Sequence, residues 1–110
     1  MEPFFELSKA LDGQFRFVLK GADAKTLLTS ELYRAKDSAQ SGIVSVQKNC
    51  GSDGRYEKKV AANGKFFFNL KAANNQVIGT SQMYATEQQR DTGLAVVKVS
   101  GASLTVREST

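Results

Sequence analysis

Between Gln14 and Lys20 the chain alternates apolar and polar positions: Phe15, Phe17 and Leu19 fall on one side of an extended backbone, and Gln14, Arg16, Val18 and Lys20 on the other. The alternation returns with Phe66, Phe68 and Leu70 set against Lys65, Phe67, Asn69 and Lys71. A period of two predicts a β-strand covered on one face only. Asp12-Gly13 and Asn63-Gly64 precede these runs and predict two-residue type I′ hairpins back to short strands at Phe5–Ser8 and Tyr56–Lys59. Turns at Asp23-Ala24 and Asn74-Asn75 lead to third strands, Thr26–Ser30 and Val77–Ser81. After Tyr33 and Tyr84 the apolar spacing becomes helical, with Ala39, Gly42, Ile43 and Val46 on one face and Gly93, Leu94 and Val97 on its counterpart. Thr86 and Gln89 have capping-box spacing, whereas Ala35 at the matching place predicts a less sharply started helix. A mid-helix glycine costs roughly 1 kcal/mol against alanine, so Gly42 and Gly93 predict close packing on the sheet or on the other helix. Leu104–Arg107 reads as a last strand.

One ungapped shift superposes the two halves: Phe5 on Tyr56, Gly13 on Gly64, Phe17 on Phe68, Leu19 on Leu70, Tyr33 on Tyr84, Gly42 on Gly93 and Val46 on Val97. This is one supersecondary unit written twice. Two copies are too few for a solenoid and predict closure about a pseudo-two-fold axis, as a homodimer of the unit would close. The expected architecture is a single α+β domain over 1–110, with one repeat over about 4–52, a second over about 55–103 and a C-terminal strand over about 104–107. Two helices cover the face bearing Phe15, Phe17, Phe66 and Phe68, and the Phe-x-Phe runs form the seam between the halves.

The ordered motifs Gln14-Phe15-Arg16-Phe17-Val18-Leu19-Lys20 and Phe66-Phe67-Phe68-Asn69-Leu70-Lys71-Ala72-Ala73-Asn74, with Thr-Ser-x-x-Tyr and the glycine-bearing helix in both copies, resemble the YegP-like family of small bacterial proteins of unknown function. The resemblance runs from Phe5 to about Ser103. It implies tandem βββα units sharing one antiparallel sheet, with C-terminal strands exchanged between halves. The strand at Tyr56 then also serves the first unit, and Leu104–Arg107 completes the second. Ala24 and Asn75 stand where the family often carries glycine. The family has no established activity, and no catalytic residue carries over from it.

Composition narrows the chemistry. There is no histidine and one cysteine, Cys50, which excludes an internal disulfide and a thiolate-rich zinc site and removes the commonest general base. No Ser-x-x-Lys arrangement stands in the sequence context that serine enzymes with a lysine base use, and no phosphate-cradling loop of the Walker or dinucleotide type occurs, so the reading is non-enzymatic, with no cofactor and no metal. No apolar run reaches membrane-spanning length and no signal peptide opens the chain, which gives a cytoplasmic expectation without membrane partners. The net charge of +4 carries little partner information. Two candidate surfaces emerge. Arg16, Lys20, Lys65, Phe67 and Lys71 form a basic face with an aromatic, a surface on which single-stranded nucleic acid could stack. Ser30 and Tyr33 with Ser81 and Tyr84 form a candidate paired pocket at the strand-to-helix passage, with a duplicated structural joint as the alternative. The expected function is a binding or protein-interaction module, monomeric through its internal symmetry, with weak nucleic-acid binding as the second reading.

Overall fold

The computed structural model describes residues 2–109. The first repeat supplies β1 (Phe4–Lys9), β2 (Phe15–Lys20), β3 (Thr26–Ser30) and α1 (Lys36–Asn49). The second supplies β4 (Tyr56–Val60), β5 (Phe66–Lys71), β6 (Val77–Ser81) and α2 (Glu87–Ser100), and β7 (Val106–Glu108) ends the chain. The strands form one sheet in the order β4-β5-β6-β3-β2-β1-β7. Both helices lie on the face that carries Phe17, Leu19, Phe68 and Leu70, each of them fully buried. The two-repeat α+β architecture is the one the sequence predicts, with differences that have physical causes.

The seam is not made by the Phe-x-Phe strands. β2 and β5 are separated by β3 and β6, and the halves meet where Thr29 pairs with Thr80. Six strands run antiparallel to their neighbours, but β7 lies parallel to β1, so the sheet is mixed. The C-terminal strand therefore completes the first repeat rather than the second, and β4 pairs with β5 alone. Sequence alignment explains this asymmetry: the residues equivalent to β7 in the first repeat are already the start of β4, so no segment is left to border β4.

All four hairpins share a single turn class, and it is not type I′. Ala10 donates its N–H to the Gln14 carbonyl and Gly13 to Ala10, closing a three-residue loop in which only Gly13 has positive φ (87°). Ala24 (66°), Gly64 (82°) and Asn75 (68°) hold the equivalent positions. This is a type I turn followed by a left-handed residue, the usual three-residue hairpin. In each loop an Asp or Asn side chain, from Asp12, Asp23, Asn63 or Asn74, accepts the N–H two residues on. That shared bond explains why the conformation survives a non-glycine residue at Ala24.

The helices begin at equivalent residues, Lys36 and Glu87, despite their unequal caps. Thr86 accepts the Gln89 N–H at 3.1 Å, and Gln89 in turn accepts from Ala85, whereas Ala35 offers no side-chain bond. Packing of Ala39, Ile43 and Val46 against the sheet sets the α1 start in place of a cap. The helix glycines face tyrosines, not each other. A Cβ on Gly42 would stand 2.6 Å from the Tyr33 hydroxyl and 2.8 Å from Phe17, and one on Gly93 only 2.3 Å from the Tyr84 hydroxyl.

Gly93→Ala is therefore expected to destabilise the protein. The roughly 1 kcal/mol gained in helix propensity is outweighed by about 1–3 kcal/mol of overpacking. Urea unfolding checks the sign, since an exposed helical glycine would give the opposite one.

Candidate functional site

The Thr-Ser-x-x-Tyr elements lie where the sheet ladder is interrupted. β2 pairs with β3 only as far as Val18 opposite Thr29, and contact resumes at an isolated bridge between Phe15 and Tyr33. Ser30 spans the interruption: its Oγ accepts the buried Phe17 N–H at 2.9 Å and donates to the Glu31 carbonyl at 2.7 Å. Ser81 repeats the arrangement with Phe68 at 3.0 Å and Gln82 at 2.8 Å. The two serines lie on the adjacent central strands, but each bonds within its own repeat. Tyr33 stacks on Phe17 at 6.3 Å, and Tyr33 and Tyr84 are half-buried beneath the helix glycines. Burial raises both phenol pKa values, with the Glu31 charge adding to the effect at Tyr33.

A cleft of about 840 Å3 opens beside one of these elements. Asp23, Lys25, Thr26 and Leu27 of the first repeat form one wall. Gln82, Tyr84 and the α2 residues Thr86, Gln88, Gln89, Thr92 and Gly93 of the second form the other. A register shift opposite Leu19/Lys20 places an extra residue in β3, turning Leu27 as well as Leu28 toward the helical side. At the mouth the Gln82 side chain donates to the Thr26 carbonyl, joining the two repeats. Tyr84 is thus in the cleft, whereas Ser81 and Ser30 are committed to backbone groups. Leu27, Gln82, Gln88, Gln89 and Thr92 escape sequence reasoning. The available signal is the adjacent pair Leu27-Leu28, which breaks the alternation and marks a bulge.

On the opposite face, Arg16, Lys20, Phe67 and Lys71 project from β2 and β5, with exposed Lys65 just before β5. The two groups are three strand spacings apart, about 14 Å. Lys20 is paired with Glu6 at 3.5 Å and Lys71 with Glu57 at 3.1 Å. The Lys71 hydrogen bond holds the Glu57 carboxyl below the usual carboxylate range. On the helical side, Lys58 does the same for Asp91 of α2, and Lys98 of α2 for Asp53. The basic face carries cations and their counter-charges together.

Cys50 is buried, and burial pushes its thiol pKa up. The neighbouring Tyr56 donates its hydroxyl to the Cys50 carbonyl at 2.6 Å and is likewise shifted up by burial. Among the described residues no group of three or more Cys, Asp or Glu side chains is placed to hold a metal. No helix among the described residues is long and apolar enough to cross a membrane.

These features define a duplicated α+β protein whose repeats share one sheet and one core. A family model described as a domain of unknown function, DUF1508, matches twice, over residues 10–57 and 61–108, each match running from the first hairpin to the strand after the helix. The chain belongs to this family. It is 61% identical over its whole length to the UPF0339 protein YegP of Escherichia coli K12, covering all of that protein, and 49% identical to a UPF0339 protein of Shewanella oneidensis, again over both full lengths. The solution NMR structure of the E. coli yegP protein, itself of unknown function, superposes with a TM-score of 0.94 at 61% identity, covering 100% of this chain and 95% of that one. The NMR structure of a UPF0339 protein from S. oneidensis gives 0.92 at 49% identity, with 98% and 92% covered.

Ser30→Ala and Ser81→Ala should each cost about 1–3 kcal/mol, because a buried N–H of Phe17 or Phe68 loses its acceptor. Denaturant unfolding reads the loss. A cost near zero would mean that the hydroxyl does not bridge the ladder.

Proposed function

We propose that this chain is a non-enzymatic binding module whose ligand sits in the cleft between the β2–β3 turn of the first repeat and the N-terminal half of α2. The observation that carries the reading is the cleft's double parentage: its walls come from different repeats, so it exists only in the closed tandem arrangement. Its floor is apolar at Leu27, Tyr84 and Gly93, and its rim offers hydroxyls and amides from Thr86, Gln88, Gln89 and Thr92 with one acid, Asp23, and one base, Lys25. An apolar floor with a few converging hydrogen-bonding groups is the composition of a small-ligand site. The non-enzymatic part rests on protonation. The phenol of Tyr84 and the thiol of Cys50 are shifted toward their neutral forms, which disfavours both as bases or nucleophiles near neutral pH. The basic face supports the nucleic-acid reading less well, because Lys20 and Lys71 are partly neutralised by Glu6 and Glu57.

Amide spectra of the isotopically labelled protein provide the test, recorded with the low-molecular-mass fraction of a bacterial lysate and, separately, with single-stranded oligonucleotides at low salt. Expected are salt-tolerant shifts confined to the cleft with the lysate fraction, lost in Thr92→Trp, which fills the cleft from an exposed helical position. Salt-sensitive shifts at Arg16, Phe67 and Lys71 with the oligonucleotides, or no cleft shift at all, would overturn the proposal.

A further inference from the structure

The two repeats treat their first strands differently. β1 is apolar toward the helices at Phe5 and Leu7, both fully buried, and Phe4 on its other face is 3% exposed. β4 carries Lys58 and Lys59 at the places of Leu7 and Ser8, and among the described residues no strand lies on its outer side. Lysine on a bare edge opposes strand addition. β1 carries a lysine only at its far end, Lys9, and its stretch Phe4–Leu7 is built to be covered.

The cover is slight. Val106, Arg107 and Glu108 are all exposed. β7 is held by a Phe5 N–H bond to the Thr105 carbonyl and a Ser109 N–H bond to the Leu7 carbonyl, both 2.9 Å, together with the short ladder between them. Arg107 lies opposite Glu6 with its guanidinium 4.1 Å from the centre of the Phe4 ring. Glu108 meets Lys36 at 2.7 Å, with both side chains 41% exposed, so water weakens that pair. A gap of about 370 Å3 remains between β7 and α1, lined by Gln40, Ile43, Val44 and Gln47. β7 also pairs with only Phe5–Leu7 of the six-residue β1, leaving the outer edge at Lys9 without a strand among the described residues.

We propose that the outer edge of β1 is a strand-addition site for an extended segment of another polypeptide, and that β7 occupies it in cis as a displaceable stand-in. The contacts of β7 specify the segment. It runs parallel to β1 with an apolar residue at the place of Val106, a cation opposite Glu6 and over Phe4, and an acid reaching Lys36. Two advantages let a partner replace the tail: a larger apolar side chain fills the gap against Ile43 and Val44, and a longer segment continues the ladder to Lys9. Backbone pairing supplies the affinity and alternate side chains the specificity, as in other strand-addition sites. Because a short tether gives the tail an effective concentration in the millimolar range, displacement is read at comparable peptide concentration. The site lies away from the inter-repeat cleft, so its failure leaves the cleft reading untouched.

The test uses the full-length labelled protein and the synthetic peptide Ser-Leu-Thr-Ile-Arg-Glu-Ser-Val-Thr at up to a few millimolar, with a control peptide carrying proline in place of arginine. Expected are shifts along Phe5–Lys9, movement of the Val106–Ser109 amides to unstructured values, no response to the control, and at least about threefold tighter binding to Arg107→Glu, whose own tail is weakened. Absence of these shifts overturns the proposal, as does hydrogen exchange of the tail amides only at the rate of global unfolding, since β7 would then be an integral strand.

Discussion

Everything in this protein depends on how β3 and β6 meet. Their pairing is short, from Leu28 opposite Ser81 to Ser30 opposite Gly79, yet it joins the two three-stranded meanders into one sheet. Thr29 and Thr80, equivalent in the repeat, face each other on the pseudo-two-fold axis. Leu28 and Gly79 are also equivalent and flank that axis, and there the duplication is unequal by necessity: a Cβ on Gly79 would lie 2.7 Å from Cγ of Leu28. Where the helices end, equivalent Cys50 and Gly101 repeat the device, with a Cβ on Gly101 falling 2.7 Å from that of Cys50. Interiors are packed too densely to hold two large groups at one symmetric point, and two small ones would leave a void. A large residue from the first repeat and a glycine from the second satisfy both limits, which a homodimer of identical units cannot do with these residues.

The same joint shapes the inter-repeat cleft. Because β3 and β6 pair over so few residues, the chains diverge beyond Leu28 and Ser81, and the cleft lies in that divergence, bridged by Gln82 and Thr26. Ser30 and Ser81 keep the diverging segments hydrogen-bonded to β2 and β5, and Tyr33 and Tyr84 fill the space under the helix glycines. At the sheet ends, tandem connection consumes the segment that could border β4 and leaves the final segment to border β1. One end is thus protected by lysines and the other by a strand.

Elements set by local patterning were legible in the sequence. Period-two alternation located β2 and β5, the shift to helical spacing located both helices, and the ungapped repeat carried each assignment from one half to the other. What escaped depends on contacts remote along the chain. Asp-Gly and Asn-Gly fit two- and three-residue loops alike, so the hairpin class was misread. The third strands were located, but not as the seam, because Thr29 and Thr80 carry no apolar signature, whereas the Phe-x-Phe runs invite attention and, with Phe17 and Phe68 in the core, lie one strand away from it. Tyr84 was singled out as a site residue and lines the cleft, but its companions come from 23–27 and 82–93, brought together by a bulge that only the Leu27-Leu28 pair signals and by a strand pairing that no local pattern announces.

If unequal residues at the axis lock the two halves together, exchanging them is the decisive experiment. Gly79→Leu should overpack the seam and Leu28→Gly should open a cavity, each lowering unfolding free energy by about 1–5 kcal/mol. The exchanged double variant Leu28→Gly/Gly79→Leu should recover most of the combined loss, measured by urea unfolding as a double-mutant cycle. A double variant as unstable as the sum of the two singles would contradict this locking.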